Sequence, residues 1–158
     1  MTPLQLLHAL WIVSRLFRAV PIATVEQIVM AAERHHVPPA LLGSICTRES
    51  RMGLDPRARG RTCGVWLPVM RAVCARDVAR CNGNLLHDQA ETAAVIVRDG
   101  IGRCRGNWNR VAAYFFSGRC VSSRIPNHAR STPLSYGQAT AAFAVVLDRN
   151  SRRPIPAL

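Results

Sequence analysis

One stretch of the chain carries the clearest pattern: residues 37–56, which read VPPALLGSICTRESRMGLDP. The two prolines near its start can begin a helix, because a first-turn residue needs no partner for its backbone N–H. The turns that follow predict an apolar stripe, which Glu49 continues four residues after Ile45 and three after Cys46. The members of this stripe are Leu41, Leu42, Ile45, Cys46 and Glu49.

Glu49 is the candidate catalytic residue of this stretch. A carboxyl group on an otherwise apolar stripe enters a partly desolvated position, which raises its pKa and keeps a proton available near neutral pH. A general acid needs such a proton. The alternative interpretation is that Glu49 lies at the edge of the helix and points into water.

Three further segments follow Glu49-Ser50 along the chain. They are Asp55-Pro56-Arg57-Ala58, Cys63-Gly64-Val65-Trp66 and Val111-Ala112-Ala113-Tyr114-Phe115-Phe116-Ser117-Gly118. This order resembles the lysozyme-like lytic transglycosylase domain. That family carries a helix ending in Glu-Ser, an Asn/Asp-Pro-x-Ala loop, a Gly-Leu-Met-Gln turn and an Ala-Tyr-Asn-Ala/Ser-Gly segment. The resemblance runs over about residues 25–147.

The resemblance implies a set of site residues in this chain. Glu49 would be catalytic, and the hydroxyl of Tyr114 would contact Glu49 or a sugar. The residues implied to bind substrate are Ser50, Gly64, Val65, Trp66, Tyr114, Phe115 and Ser117. The chain departs from the family pattern in three motifs. Gly53 and Leu54 are two extra residues before Asp-Pro, and Gly64-Val65-Trp66-Leu67 has no Gln. Tyr114 is followed by Phe115-Phe116 in place of Asn, which leaves one residue too many before Ser117-Gly118. The Gln and Asn positions help to line the sugar cleft in the family.

The implied chemistry is peptidoglycan cleavage by a single carboxyl group. Lytic transglycosylases use one glutamate to protonate the glycosidic oxygen between N-acetylmuramic acid and N-acetylglucosamine. The same group then takes the proton of the muramoyl 6-hydroxyl, which closes a 1,6-anhydro ring. The resemblance therefore implies peptidoglycan glycan strands as the substrate and no cofactor or metal. Most other glycosidases need two carboxylates, and this chain has one strong candidate.

Three alternatives stay open. The first is a hydrolase of the goose-type lysozyme kind, in which Asp55 or another aspartate would hold the attacking water. The second is a non-catalytic lysozyme-like component of a phage tail or a secretion assembly. The third is a basic nucleic-acid binder, since all 21 basic residues are Arg and the net charge is +12. No helix-turn-helix, RNA-binding or zinc-finger signature accompanies this charge, so we expect no specific nucleic acid as a partner.

The predicted architecture is mainly α, a lysozyme-like single helical domain with long active-site loops. A length of 158 residues fits one domain. We divide the chain into an N-terminal helical extension (1–22), the lysozyme-like domain (23–150) and a C-terminal tail (151–158). The extension has apolar residues at helical spacing: Leu6, Leu10, Val13 and Phe17. It is expected to pack on the domain or on a partner protein, with a membrane-surface helix or an atypical export signal as the alternative.

Helix boundaries follow from caps and breakers. Thr24-x-x-Gln27 and Ser135-x-x-Gln138 are candidate capping boxes. Gly100 is expected to stop a helix that begins near residue 87, and Asn107 to cap a helix over 108–116.

Helix packing and the last connecting segment complete the predicted fold. The small side chains Ala112 and Ala113 would let the helix over 108–116 approach the Glu49 helix closely. Residues 122–132 are polar and are expected to be irregular.

The six cysteines predict an oxidising environment. Six is more than a cytosolic enzyme usually carries, and no pair has the C-x-x-C spacing of zinc or redox sites. Cys74 with Cys81 and Cys104 with Cys120 bracket single elements and are candidate disulfides, whereas Cys46 is the best candidate for a buried free cysteine. The expected location is a phage virion or an extracytoplasmic compartment. The N-terminal helix would there contact phage tail or secretion-machine proteins.

Overall fold

The computed structural model describes residues 1–77, 80–120 and 132–155. These ranges contain seven α-helices and no strand, which confirms the predicted mainly α class. The α-helices are α1 Pro3–Val13, α2 Ile22–Arg34, α3 Pro39–Ser50, α4 Leu67–Arg76, α5 Leu85–Arg103, α6 Trp108–Ser117 and α7 Pro133–Ser151. Two short 3₁₀ helices cover Arg15–Ala19 and Pro56–Ala58.

Residues at the cap or in the first turn determine where several of these helices begin. Pro39 starts α3, as predicted from the two prolines. Asn107 caps α6 by accepting a hydrogen bond from the backbone N–H of Arg110 at 3.2 Å, which confirms the predicted start of that helix. Asn84 caps α5 in the same way.

The two predicted capping boxes are wrong. Helix α2 begins at Ile22 with Pro21 as its N-cap, so Thr24 lies inside the first turn and is buried. Helix α7 begins at Pro133, and its capping box is formed by Thr132 with Ser135 in the third helical position. In both cases the helix begins earlier than the Ser/Thr pattern indicates.

Gly100 does not stop α5, which continues to Arg103. A Cβ atom at position 100 would lie 2.9 Å from Cδ1 of Tyr114 on α6. The glycine is therefore explained by the close approach of two helices, and the helix continues because tertiary packing outweighs the low helix propensity of glycine.

Helix α7 is the central packing partner. It contacts α6, α3 and α1, while α5 contacts α2, α6 and α4. The close approach predicted between α6 and the Glu49 helix is made with α7 instead. A Cβ at Gly137 of α7 would lie 2.3 Å from the carbonyl oxygen of Asn109 and 3.4 Å from Cβ of Ala113.

The N-terminal segment packs on the rest of the chain. Leu6, Leu10 and Phe17 are buried in the same core as α2, α3 and α7. The indole Nε1–H of Trp11 donates to the carbonyl oxygen of Phe17 at 3.1 Å, which fixes the 3₁₀ helix against α1. The boundary drawn at residue 22 therefore falls inside a shared core.

At the other end, α7 reaches Ser151. Residues 156–158 of the predicted tail lie outside the described residues, as does the segment predicted to be irregular, apart from Thr132.

Three disulfides join the six cysteines. Cys74 is bonded to Cys81 and Cys104 to Cys120, the two pairs that bracket single elements. The expectation of a free Cys46 is wrong, because Cys46 is bonded to Cys63. Disulfides in this number are typical of proteins that mature in an oxidising, extracytoplasmic environment. In the described part of the chain, no helix has the length and apolar character needed to cross a membrane.

Candidate active site

Glu49 lies in the last turn of α3, where the apolar stripe of that helix ends. The stripe residues before it, from Leu41 to Cys46, are fully buried. Glu49 itself is half-buried. The expected position of this carboxyl group, at the edge of the core with restricted access to water, is therefore observed.

Tyr136 of α7 holds the carboxyl group. Its hydroxyl donates a hydrogen bond to Oε1 of Glu49 at 2.5 Å. The Tyr136 ring is buried and stacks on Phe116, with ring centroids 4.6 Å apart. The guanidinium carbon of Arg48 lies 5.8 Å from the centroid of the same ring. The position of the hydroxyl is thus fixed by the packing of its ring.

The environment of Glu49 favours its protonated form. Burial raises the pKa of Glu49 above its ordinary value of 4.5 and is the largest effect on it. The hydrogen bond from Tyr136 and the charges of Arg48 and Arg61 act in the opposite direction but do not cancel the effect of burial. A carboxyl group of this kind keeps its proton to a higher pH than a glutamate in water.

The hydroxyl of Tyr136 stays a hydrogen-bond donor whether Glu49 is protonated or ionised. Burial raises the pKa of Tyr136 well above its ordinary value of 10.0, and the nearby charge of Glu49 adds to this increase. The hydroxyl therefore keeps its hydrogen at neutral pH and can stabilise the carboxylate once Glu49 has lost its proton.

The backbone at Gly64 lies directly against the side chain of Glu49. A Cβ atom at position 64 would lie 2.5 Å from Oε2 and 2.6 Å from Cγ of Glu49, so a larger residue does not fit. Gly64 also has a positive φ of +71°, which favours glycine. The disulfide between Cys46 and Cys63 ties the loop to α3 immediately before this residue.

Two buried polar side chains fix the same loop. Gln89 of α5 accepts from the backbone N–H of Val65 at 3.1 Å and donates to its carbonyl oxygen at 2.8 Å. Ser50 donates to the carbonyl oxygens of Cys46 and Thr62 and accepts from the backbone N–H of Gly53. The loop around Glu49 is therefore held by hydrogen bonds and by a covalent link.

The predicted substrate-binding residues at and after Glu49 differ in their exposure to solvent. Ser50 and Val65 are only 1% and 3% exposed, so their side chains position the loop and do not face a ligand. Trp66 is 67% exposed and lies two residues after Gly64, the residue whose backbone lies against Glu49. An exposed indole of this kind offers a flat apolar surface on which a sugar ring can stack.

The predicted contact between Tyr114 and Glu49 is wrong. The Tyr114 hydroxyl donates to Asp99 of α5, and Tyr136 occupies the place beside Glu49. Tyr114 and Phe115 are half-buried, and Ser117 is exposed at the end of α6, where its hydroxyl donates to the carbonyl oxygen of Ala113. Contact of these three residues with a sugar stays a prediction.

The other eight carboxyl groups all lie in the described ranges and have surroundings unlike those of Glu49. Asp55 accepts from the backbone and the guanidinium of Arg57, and these bonds lower its pKa. The others are in ion pairs, accept backbone hydrogen bonds or are exposed: Glu26, Glu33, Asp77, Asp88, Glu91, Asp99 and Asp148. None of the eight is among the groups that shift the pKa of Glu49.

One cluster has the composition of a metal site but not its chemistry. The ligand atoms of Cys74, Cys81 and Asp88 lie within 4.8 Å of one another. Both sulfur atoms are in a disulfide, and the Asp88 carboxylate accepts from the backbone N–H groups of Asn82 and Gly83. A metal ion at this place would have no thiolate to bind.

Sequence reasoning missed two polar residues of the site, Tyr136 and Gln89, and also Glu91, which contacts the end of α2. Tyr136 is buried in α7, and only its hydroxyl distinguishes it from an ordinary core residue. Gln89 and Glu91 are buried polar residues within a helix rich in Ala and Val. A polar residue in such a helix is a signal of a specific hydrogen-bond partner, because burial without one is unfavourable.

Comparison of the chain with known protein families, with curated proteins and with solved structures found no match.

Proposed function

We propose that this protein is a peptidoglycan lytic transglycosylase in which Glu49 is the single general acid and base. The observation that carries the proposal is the state of Glu49. Its carboxyl group is half-buried, its pKa is raised by burial, and it accepts a hydrogen bond from Tyr136 beside a loop that lies against it.

The chemistry then uses one carboxyl group twice, first as an acid and then as a base. Glu49 donates its proton to the oxygen of the β-1,4 bond between N-acetylmuramic acid and N-acetylglucosamine, and the bond to the muramoyl C1 breaks. The carboxylate that results takes the proton of the muramoyl 6-hydroxyl as that oxygen bonds to C1. Glu49 is restored, no water is consumed, and the product ends in a 1,6-anhydro ring.

The surroundings of Glu49 support the single-carboxyl mechanism. A retaining glycosidase places its second carboxyl group about 5–5.5 Å from the acid, close enough to influence its pKa. The groups that influence Glu49 are Tyr136 and two arginines. Asp55, the residue expected to hold water in a hydrolase, has both carboxylate oxygens bonded to Arg57.

The substrate and the setting belong to the same proposal. A net charge of +12 favours the anionic bacterial wall, which carries peptide carboxylates and teichoic acids. Three disulfides fit activity outside the cytoplasm. We place the protein in a phage virion or in a bacterial secretion or conjugation machine. Its partner proteins would bind α1 where Leu4 and Ile12 are exposed.

Analysis of digested peptidoglycan tests the proposal. The oxidised protein is incubated with purified cell-wall sacculi, and the soluble fragments are separated and weighed by mass spectrometry. We expect 1,6-anhydro muropeptides, each one water lighter than the corresponding hydrolysis product. Glu49→Gln should release none of them, whereas Glu33→Gln, the same change at an exposed glutamate, should release them at the wild-type rate.

Two results would change the assignment. Fragments with free reducing ends would identify a hydrolase of the goose-type lysozyme kind. No fragments from the folded wild-type protein would favour the non-catalytic component of a phage tail or secretion assembly.

A further inference from the structure

A concavity lies along α3, beside Arg48; Glu49 itself does not line it. It has a volume of about 470 Å³ and is bounded by α3, α7 and the 3₁₀ helix Arg15–Ala19. Arg48 belongs to both the pocket and the candidate active site, because it lines the pocket and also lies over the ring of Tyr136, whose hydroxyl contacts Glu49. A ligand in the pocket would therefore lie beside a chain bound at Glu49.

The walls and the rim of the pocket differ in chemistry. The walls include the apolar side chains of Leu16, Phe17, Leu54 and Phe143, together with three hydroxyl residues: Ser44, Thr47 and Thr140. The rim carries the guanidinium groups of Arg48 and Arg51, both exposed. Within the described residues neither arginine is in an ion pair, although the charge of Arg51 acts on Asp55. The pocket is thus suited to a ligand with small apolar groups and a carboxylate.

Arg51 stands at a position where glycine is usual. It is the C-cap of α3, with φ 52° and ψ 46°, a left-handed conformation that disfavours residues with a Cβ. Met52 shares this conformation, but its side chain is buried in the core and is explained by packing. Arg59 and Arg105 are also exposed arginines with positive φ, so the conformation alone does not mark a binding site; of the three, only Arg51 lines the pocket.

We propose that this pocket binds the peptide stem of peptidoglycan, with a stem carboxylate at Arg48 and Arg51 and the alanine methyl groups against the apolar walls. The inference rests on the proposed function, because that function puts a muramoyl residue at Glu49. The stem is attached to that residue through its lactyl group. A pocket that shares Arg48 with the site is within reach of such a branch.

Binding of a soluble muropeptide tests the pocket separately from cleavage. The parent protein is Glu49→Gln, and the probe is N-acetylglucosaminyl-N-acetylmuramoyl tetrapeptide, titrated by calorimetry. Adding Arg51→Gly should weaken binding about fivefold, the size expected for one exposed charge-assisted contact. Arg59→Gly is the matched control, since Arg59 is also an exposed arginine in the left-handed conformation, with φ 49°, and does not line the pocket.

The control variant and a second probe make the result specific. Arg51→Gly should keep or raise the melting temperature, because glycine relieves the left-handed strain, so weaker binding would report the lost side chain. The same disaccharide without its peptide should bind equally to all three proteins. The inference is overturned by no binding of the muropeptide, by equal muropeptide affinity in the three proteins, or by an equal loss with the peptide-free disaccharide.

Cleavage of peptide-free glycan strands by the wild type separates the two proposals. Cleavage without a role for Arg51 in muropeptide binding would keep the proposed function and remove the pocket. Binding of the muropeptide that depends on Arg51, without cleavage of any strand, would keep the pocket and remove the proposed function.

Discussion

Two glutamates are withdrawn from water in this molecule, and their partners differ. Glu91 of α5 is 2% exposed and contacts two cationic or potentially cationic side chains of the α2 end, with Arg34 Nε at 2.7 Å and His35 Nε2 at 2.7 Å. Glu49 is half-buried and receives its one direct hydrogen bond from the neutral hydroxyl of Tyr136.

The difference separates a structural carboxylate from a candidate acid. A carboxylate with a guanidinium in contact joins two helices by an ion pair. Glu49 has no guanidinium in direct contact, and burial raises its pKa even though the hydrogen bond from Tyr136 and the charges of Arg48 and Arg61 lower it. Burial alone therefore does not identify a catalytic glutamate, and the partner must be considered.

The largest expected effect is on cleavage. Glu49→Gln removes the proton donor and should lower the rate of glycan cleavage by about 10²–10⁴-fold, the usual contribution of a general acid. Glu91→Gln should leave the rate per folded molecule within about twofold of wild type, because Glu91 acts on α2 and not on the loop at Gly64. Release of soluble muropeptides measures both. A larger loss in Glu91→Gln than in Glu49→Gln would reverse the two assignments.

The next effect is on stability. Glu91→Gln removes the carboxylate that forms an ion pair with Arg34 and contacts His35, and it should lower the free energy of unfolding by about 3 kcal/mol. This value is at the low end of the usual cost of breaking a buried ion pair, because the Arg34 side chain is 41% exposed and its charge is screened by water. Urea unfolding at pH 7 measures the change. An unchanged midpoint would show that this cluster is not a structural anchor.

A third variant tests the loop against Glu49. Gly64→Ala should lower the free energy of unfolding by about 1–2 kcal/mol through its positive φ and, in addition, displace the carboxyl group and lower cleavage. Gly83→Ala is the matched control, because Gly83 has a φ of +81° but no atom within 4 Å of its added Cβ. Both should lose stability, and only Gly64→Ala should lose rate per folded molecule. Equal cleavage rates per folded molecule in the two variants would show that the loop at Gly64 does not position Glu49 for cleavage.

A fourth, smaller effect concerns pH and stability. Because the pKa of Glu49 is raised in the folded protein, its protonated form stabilises the fold at low pH, and this contribution is lost as pH rises through the folded pKa. Glu49→Gln has no group that titrates at this position, so it does not lose this stability as pH rises. Its melting temperature relative to wild type should therefore be higher at pH 8 than at pH 4, which paired thermal scans would measure. A difference that is constant with pH would contradict a raised pKa.

The smallest expected effect is a shift in the pH profile. Tyr136→Phe removes a hydrogen bond that lowers the pKa of Glu49, so that pKa should rise further. Activity that needs protonated Glu49 should then persist to a higher pH, so the alkaline limb of the pH–rate profile should shift to higher pH. An alkaline limb that stays in place would show that another group controls it.

Much of this fold was predictable because its signals are local. Proline at the start of α3, asparagine before α6 and the apolar spacing around Ile45 each act within one or two turns. Gly100 was misjudged because its role depends on Tyr114, a contact between two helices that no local rule contains.

The site was predictable only in part for the same reason. Glu49 stood out because it ends a local apolar stripe. Its partner Tyr136 is 87 residues away, and the clamp between Gln89 and Val65 spans 24 residues. Cys46 had the spacing of a core residue, and its bond to Cys63 appears only when the loop folds back over α3.

A direct titration of Glu49 tests the central claim most sharply. The side-chain carboxyl carbon of Glu49 is followed by ¹³C NMR across pH in the wild type and assigned by its absence in Glu49→Gln. We predict a midpoint above the ordinary value of 4.5. A midpoint at or below 4.5 would show that burial does not raise the pKa of Glu49, and it would contradict its role as a proton donor.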